Sequence, residues 1–131
     1  MKIFLKTKTV DLTSRQLRQI VGECIRFMEM SVGTKPSRQK TLKYRVVNCK
    51  VPAYGNYDYK NNTITIHRNH TTDVKMVIRT VLHEYTHFLQ NLRNYHVVLK
   101  KVGYDKHPQE IEACKNEKLY SPCWKQIKKY I

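Results

Sequence analysis

Apolar positions recur at helical spacing in two long stretches of the chain. In the first, Leu17, Ile20, Val21, Cys24, Ile25 and Met28 follow Thr13 or Ser14, either of which can cap a helix that Gly33 and Pro36 then end. In the second, Val74, Val77, Ile78, Val81, Leu82, Tyr85, Phe88, Leu89 and Leu92 fall on one broad stripe at about 100° per residue. That pattern predicts a helix capped by Thr71 or Thr72, with Asp73 near its positive end, running to about Tyr95.

Between and before these helices the period shortens. Lys2 to Val10 and Leu42 to Val51 read as strands, and Tyr57 to Tyr59 and Thr63 to His67 flank a Lys60-Asn61-Asn62 turn as a hairpin. The strands are expected to form a small, mainly antiparallel sheet. After the second helix, Asn94 to Lys106 reads as a connection, and Pro108 as the first residue of a helix with Glu110 and Glu112 in its first turns. Ser121-Pro122 starts a short last helix whose Trp124 and Ile127 can dock on the core. The fold class expected is α+β, in one domain spanning residues 1–131.

The far side of the second helix changes the picture. His83, His87, Met76, Thr80, Asn91 and Asn94 lie there, while Lys75, Arg79 and Arg93 occupy a narrow sector between the two faces. A helix with so little charge on its second face is expected to be covered on both sides. Within it, His83-Glu84-Tyr85-Thr86-His87 is an H-E-x-x-H sequence. Residues four apart on a helix are offset by about 40°, so both imidazoles can reach one Zn²⁺ while Glu84 addresses its bound water.

A catalytic zinc takes three protein ligands and keeps one position open. The metzincin continuation is missing, because Gln90 and Arg93 stand where it needs Gly and His. The remaining candidates for a third ligand are His96, His107, Glu110 and Glu112. The two glutamates diverge by about 200° on a helix, so only one of them can face the metal.

His83-Glu84-x-x-His87 followed by Glu110-x-x-Ala113 on a second helix resembles the gluzincin pattern, and in particular the small zincin-like metallopeptidases of bacterial and phage genomes. The resemblance covers roughly residues 57 to 117. It implies a zincin-like fold, a sheet packed on an N-terminal helix and the active-site helix, with a C-terminal ligand-bearing helix. It implies zinc held by His83, His87 and Glu110, with Glu84 as general base in peptide-bond hydrolysis. The chain departs from the family at Cys114, where Asn or Asp ordinarily supports a metal-binding histidine. The family also implies that the strand before the active-site helix, Thr63 to His67, is the edge on which a peptide substrate pairs. An oxyanion donor is expected from Tyr104, Tyr120 or His96. His67 and His70, at a strand end and loop, are expected to be solvated or structural.

Composition adds partners and compartment. A net charge of +15, from 25 Lys and Arg against 10 Asp and Glu, attracts polyanions. Its short clusters are Arg38-Gln39-Lys40, Lys100-Lys101 and Lys125 to Lys129, and no helix-turn-helix, zinc-finger or RNA-recognition motif accompanies them. The partners expected are therefore a protein or peptide substrate and, nonspecifically, nucleic acid. Alternative readings are a catalytically silent zincin scaffold and a basic nucleic-acid- or protein-binding module. Lysines interrupt the apolar start of the chain, so no signal peptide or membrane segment is expected, and the chain reads as a cytoplasmic monomer. Cys24, Cys49, Cys114 and Cys123 lack C-x₂-C spacing and are expected as free thiols.

Overall fold

The computed structural model describes residues 2–35 and 41–131, so Pro36 and the Arg38-Gln39-Lys40 cluster lie outside the described residues. The order of elements is α1 (Ser14–Ser31), β1 (Lys43–Val47), β2 (Gly55–Asp58), β3 (Thr63–His67), α2 (Val74–Leu89), α3 (Tyr95–Val102), α4 (Pro108–Asn116) and α5 (Tyr120–Ile127). The α+β class expected from the periodicities is what forms.

Thr13 settles the start of α1 through a capping box. Its hydroxyl accepts from the Gln16 amide at 3.1 Å, and the Gln16 side chain accepts from the Thr13 amide at 2.8 Å. The apolar stripe of α1 packs against α2, β1 and α5 in one core with Ile64, Ile66, Val77, Val81, Tyr85 and Ile127. Cys24 and Cys123 meet in that core with sulfurs 3.8 Å apart, and the four cysteines are free thiols.

The sheet differs from the expectation in two ways. Its strand order is β1-β3-β2, with β1 parallel to β3 and β2 antiparallel to it, so it is mixed rather than mainly antiparallel. Thr63–His67 is thus the central strand and not the edge, and the free edges of the sheet are β1 and β2. Alternation tells which side chains share a face but not which strands pair. The chain leaves β1, crosses the end of the sheet at 48–54, and returns along the far side of β3. His67 and His70 pin that crossing by donating to the Ala53 and Cys49 carbonyls at 2.7 and 2.8 Å, the structural role expected of them.

The N-terminal segment is not a strand. Beyond a single bridge from Lys8 to Asp73 and a 3-10 turn at Thr9–Asp11, it serves the start of α2. Val74 and Lys75 donate to the Thr7 and Leu5 carbonyls at 3.1 and 3.0 Å, satisfying amides that a helix start leaves without partners. Asp73, rather than Thr71 or Thr72, is the cap of α2, accepting from the Met76 amide at 2.9 Å.

Helix α2 also stops at Leu89, short of Tyr95. Gln90 is extended, and its amide side chain donates to the Gln109 carbonyl at 3.0 Å and to Glu112 at 2.7 Å. These bonds to α4 replace continuation of the helix. What read as a connection then holds a separate helix, α3, which buries no residue of its own. No helix among the described residues is long and apolar enough to cross a membrane.

Candidate metal centre

Helix α2 is covered on both sides, as its sparse charge implied. Thr80 and His87 are buried on the face opposite the core stripe, and Glu84 is buried at its border. That face floors a cleft of about 1480 Å³, walled by β2 with its flanking residues Pro52 to Lys60 on one side and by Leu92, Tyr95, His96 and Tyr104 on the other. Gly55 lets the sheet edge come this close: a Cβ there would stand 2.5 Å from the Thr65 carbonyl oxygen and 2.9 Å from the Thr80 methyl.

Helix α4 brings the third group. Pro108 occupies its first turn, His107 caps it by accepting from the Gln109 amide at 3.2 Å, and Ala113 is fully buried where α4 packs on α2. Glu110 therefore points at the two histidines. Its Oε1 lies 2.9 Å from His83 Nε2 and 3.1 Å from His87 Nε2. Glu112, on the diverging side of the helix, is exposed and bonded to Gln90. The cluster includes neither His96, on the rim of the cleft, nor His107, which is buried beneath Tyr95.

The far atoms of each ligand are also held. His83 Nδ1 donates to Glu117 Oε2 at 2.8 Å, and His87 Nδ1 donates to Gln90 Oε1 at 2.7 Å. With Nδ1 carrying the proton, Nε2 is the atom each ring presents to a cation. The hydroxyl of Tyr95 donates to Glu110 Oε2, leaving Oε1 turned to the histidines. Tyr95 in turn stacks on His107 with centroids 4.3 Å apart, and His107 Nε2 donates to its carbonyl at 3.0 Å.

Ligands at about 2.0–2.1 Å around a tetrahedral ion stand roughly 3.3–3.4 Å apart. The observed 2.9 and 3.1 Å need to open by only a few tenths of an ångström. His83, His87 and Glu110 thus form a group that could hold a metal ion, and two imidazoles with one carboxylate suit zinc.

Without a cation the cluster is bound together by protons. Burial works against charge on His83, but the Glu110 and Glu117 hydrogen bonds and the Glu84 charge outweigh it and raise its pKa to about 10. His87 is raised as well, against its burial, by Glu110, Glu84 and Gln90. Burial pushes Glu110 upward, yet the hydrogen bonds from both histidines and Tyr95 hold it well below the usual carboxylate range. Glu84 moves the other way: its burial raises it, and the two neighbouring histidines only partly offset this.

Three residues of the centre escaped sequence reasoning. Glu117 supports the His83 ring through Nδ1, and its spacing of seven from Glu110 on a continuing helical path was the available signal. Gln90 and Tyr95 reach the centre only because α2 ends early. Of the candidate oxyanion donors, Tyr104 and His96 line the cleft, whereas Tyr120 lies under Lys75, whose Nζ is 4.5 Å from its ring centroid.

No protein-family model matches the chain, and comparisons with curated proteins and with solved structures gave no match either.

Proposed function

We propose that the protein is a zinc-dependent peptidase of zincin type, hydrolysing peptide bonds in the cleft between β2 and α2. The observation that carries this reading is the convergence of His83 Nε2, His87 Nε2 and Glu110 Oε1, each with its remaining polar atom held by a second group, beside the buried Glu84. A cation coordinated there supplies Lewis acidity, lowering the pKa of water and polarising a carbonyl. Glu84 takes a proton from the attacking water and returns it to the departing amine. A structural metal site has no use for such a base.

The edge that receives an extended peptide is β2, which lies along the cleft, in place of the strand expected to do so. Tyr104, half exposed on the opposite wall, is the oxyanion donor in this reading. The cleft wall carries Lys60, Lys75 and Arg79 against Asp58, Asp73, Glu84, Glu110 and Glu117, so the excess positive charge lies outside it. Nonspecific association with nucleic acid belongs to that outer surface and not to the cleft.

Plasma mass spectrometry tests the metal, and cleavage of a quenched-fluorescent peptide library tests the reaction. Near-stoichiometric zinc, lost in His83→Ala, weakened in Glu110→Gln and unaffected by Glu112→Gln, is the expected result. Glu84→Gln is expected to retain zinc and lose cleavage. Wild-type protein that binds none when offered zinc, or cleavage that survives Glu84→Gln, overturns the reading.

A further inference from the structure

His83 has a second face, and we propose that it belongs to a second cation site, formed by His83 Nδ1, Cys114 Sγ and Glu117 Oε2 and selective for thiophilic ions. The proposal rests on the zinc reading only in that the two sites share the His83 ring.

The three atoms lie within 4.8 Å of one another. Cys114 Sγ is 4.0 Å and Glu117 Oε2 2.8 Å from His83 Nδ1. Around a tetrahedral ion with a thiolate at about 2.3 Å and an imidazole at about 2.0–2.1 Å, sulfur and nitrogen stand roughly 3.5 Å apart. The two contacts to Nδ1 need to close and to open by about half an ångström, and the third lies within 4.8 Å. Glu117 is already oriented for it: Arg79 holds Oε1 at 3.0 and 3.2 Å, which keeps Oε2 directed at His83. Cys114 sits on the exposed side of α4, so an ion from solvent reaches it directly.

Ion chemistry selects between the two positions. The inner group offers nitrogen and a carboxylate, while the outer one adds a sulfur that favours soft or borderline ions over magnesium or calcium. The Arg79 guanidinium beside Glu117 opposes a cation there, so the outer site fills after the inner one. Filling it releases two protons to solvent, one from the Cys114 thiol and one from His83 Nδ1. An ion held there would occupy the His83 Nδ1 and Glu117 Oε2 atoms that otherwise bond to each other at 2.8 Å. Occupancy of the outer site therefore alters a ligand of the inner one, which makes it a regulatory site for excess zinc or cadmium.

Cobalt(II) titration of the chelator-treated full chain, kept reduced by a phosphine, distinguishes the sites by colour. The first equivalent is expected to give visible d–d bands without thiolate absorption. The second is expected to add a near-ultraviolet sulfur-to-cobalt band and to shift the visible spectrum. Cys114→Ser is expected to lose the near-ultraviolet band and keep the first equivalent, and Glu110→Gln to weaken the first equivalent and keep the band; Cys49→Ser is expected to change neither. Saturation at one equivalent without a thiolate band, or a thiolate band that survives Cys114→Ser, overturns the second site. A thiolate band without a first, Glu110-dependent equivalent leaves the outer site standing and removes the zincin reading instead.

Discussion

Metal uptake by this centre should be paid for in protons, and their number follows from the hydrogen bonds. In the metal-free cluster both Nε2 atoms face one carboxylate oxygen, at 2.9 and 3.1 Å, while both Nδ1 atoms donate to acceptors on the other side. Each imidazole therefore holds two protons, in keeping with the raised pKa values, about 10 for His83. A cation on Nε2 displaces one proton from each ring. Near neutral pH the expected release is about two protons per ion, so apparent affinity rises roughly 100-fold, or about 2.7 kcal/mol, for each unit of pH. The slope flattens as pH passes through the raised values, because the protons then leave before the metal arrives. Isothermal titration calorimetry with zinc in two buffers of different ionisation enthalpy counts the protons directly. A count near zero at pH 7 would refute the reasoning, since it would mean that both Nε2 atoms already carry free lone pairs and that Glu110 is ionised without a proton shared between them.

Stability of the metal-free chain should follow the same groups. Glu110 is lowered from 4.5 and His83 raised from 6.5, so their contributions are both full between those values. Thermal unfolding should show the Glu110 contribution lost as pH falls below that window and the His83 contribution lost as it rises toward about 10; a midpoint flat from pH 6.5 to 10 argues against the cluster. Glu117→Gln removes the carboxylate behind His83 and should weaken zinc about 10–100-fold in a competition assay with a chromophoric chelator, an unchanged affinity showing that Glu117 does not orient the ring. Gly55→Ala places a methyl against the Thr65 carbonyl and should cost about 1–3 kcal/mol in urea unfolding; no shift in midpoint would mean that β2 does not lie this close to α2.

Much of the centre was legible in the chain because helices convert spacing into direction. His83 and His87, four apart, had to share a face, and Glu84 had to lie beside it; Glu110 and Glu112 had to diverge. The core stripes of α1 and α2 were equally open to reading, since burial on one side of a helix imposes its period on the sequence. The boundaries were less so. Gln90 ends α2 for reasons that lie on α4, 19 and 22 residues away, and the first residues satisfy the amides of α2 although their composition suits a strand.

What the sequence by itself determined is the class of fold, the helices that bear chemistry and a short list of ligands, each a consequence of local periodicity. Tertiary structure alone decided among those ligands, placing Glu110 on the histidines and Glu112 on Gln90. It set β3 between β1 and β2, so that the edge along the cleft is β2. It also supplied Glu117, Gln90 and Tyr95 to hold the far atoms of the three ligands. Strand order and these supporting contacts depend on which distant segments meet, and no period along one chain encodes that meeting.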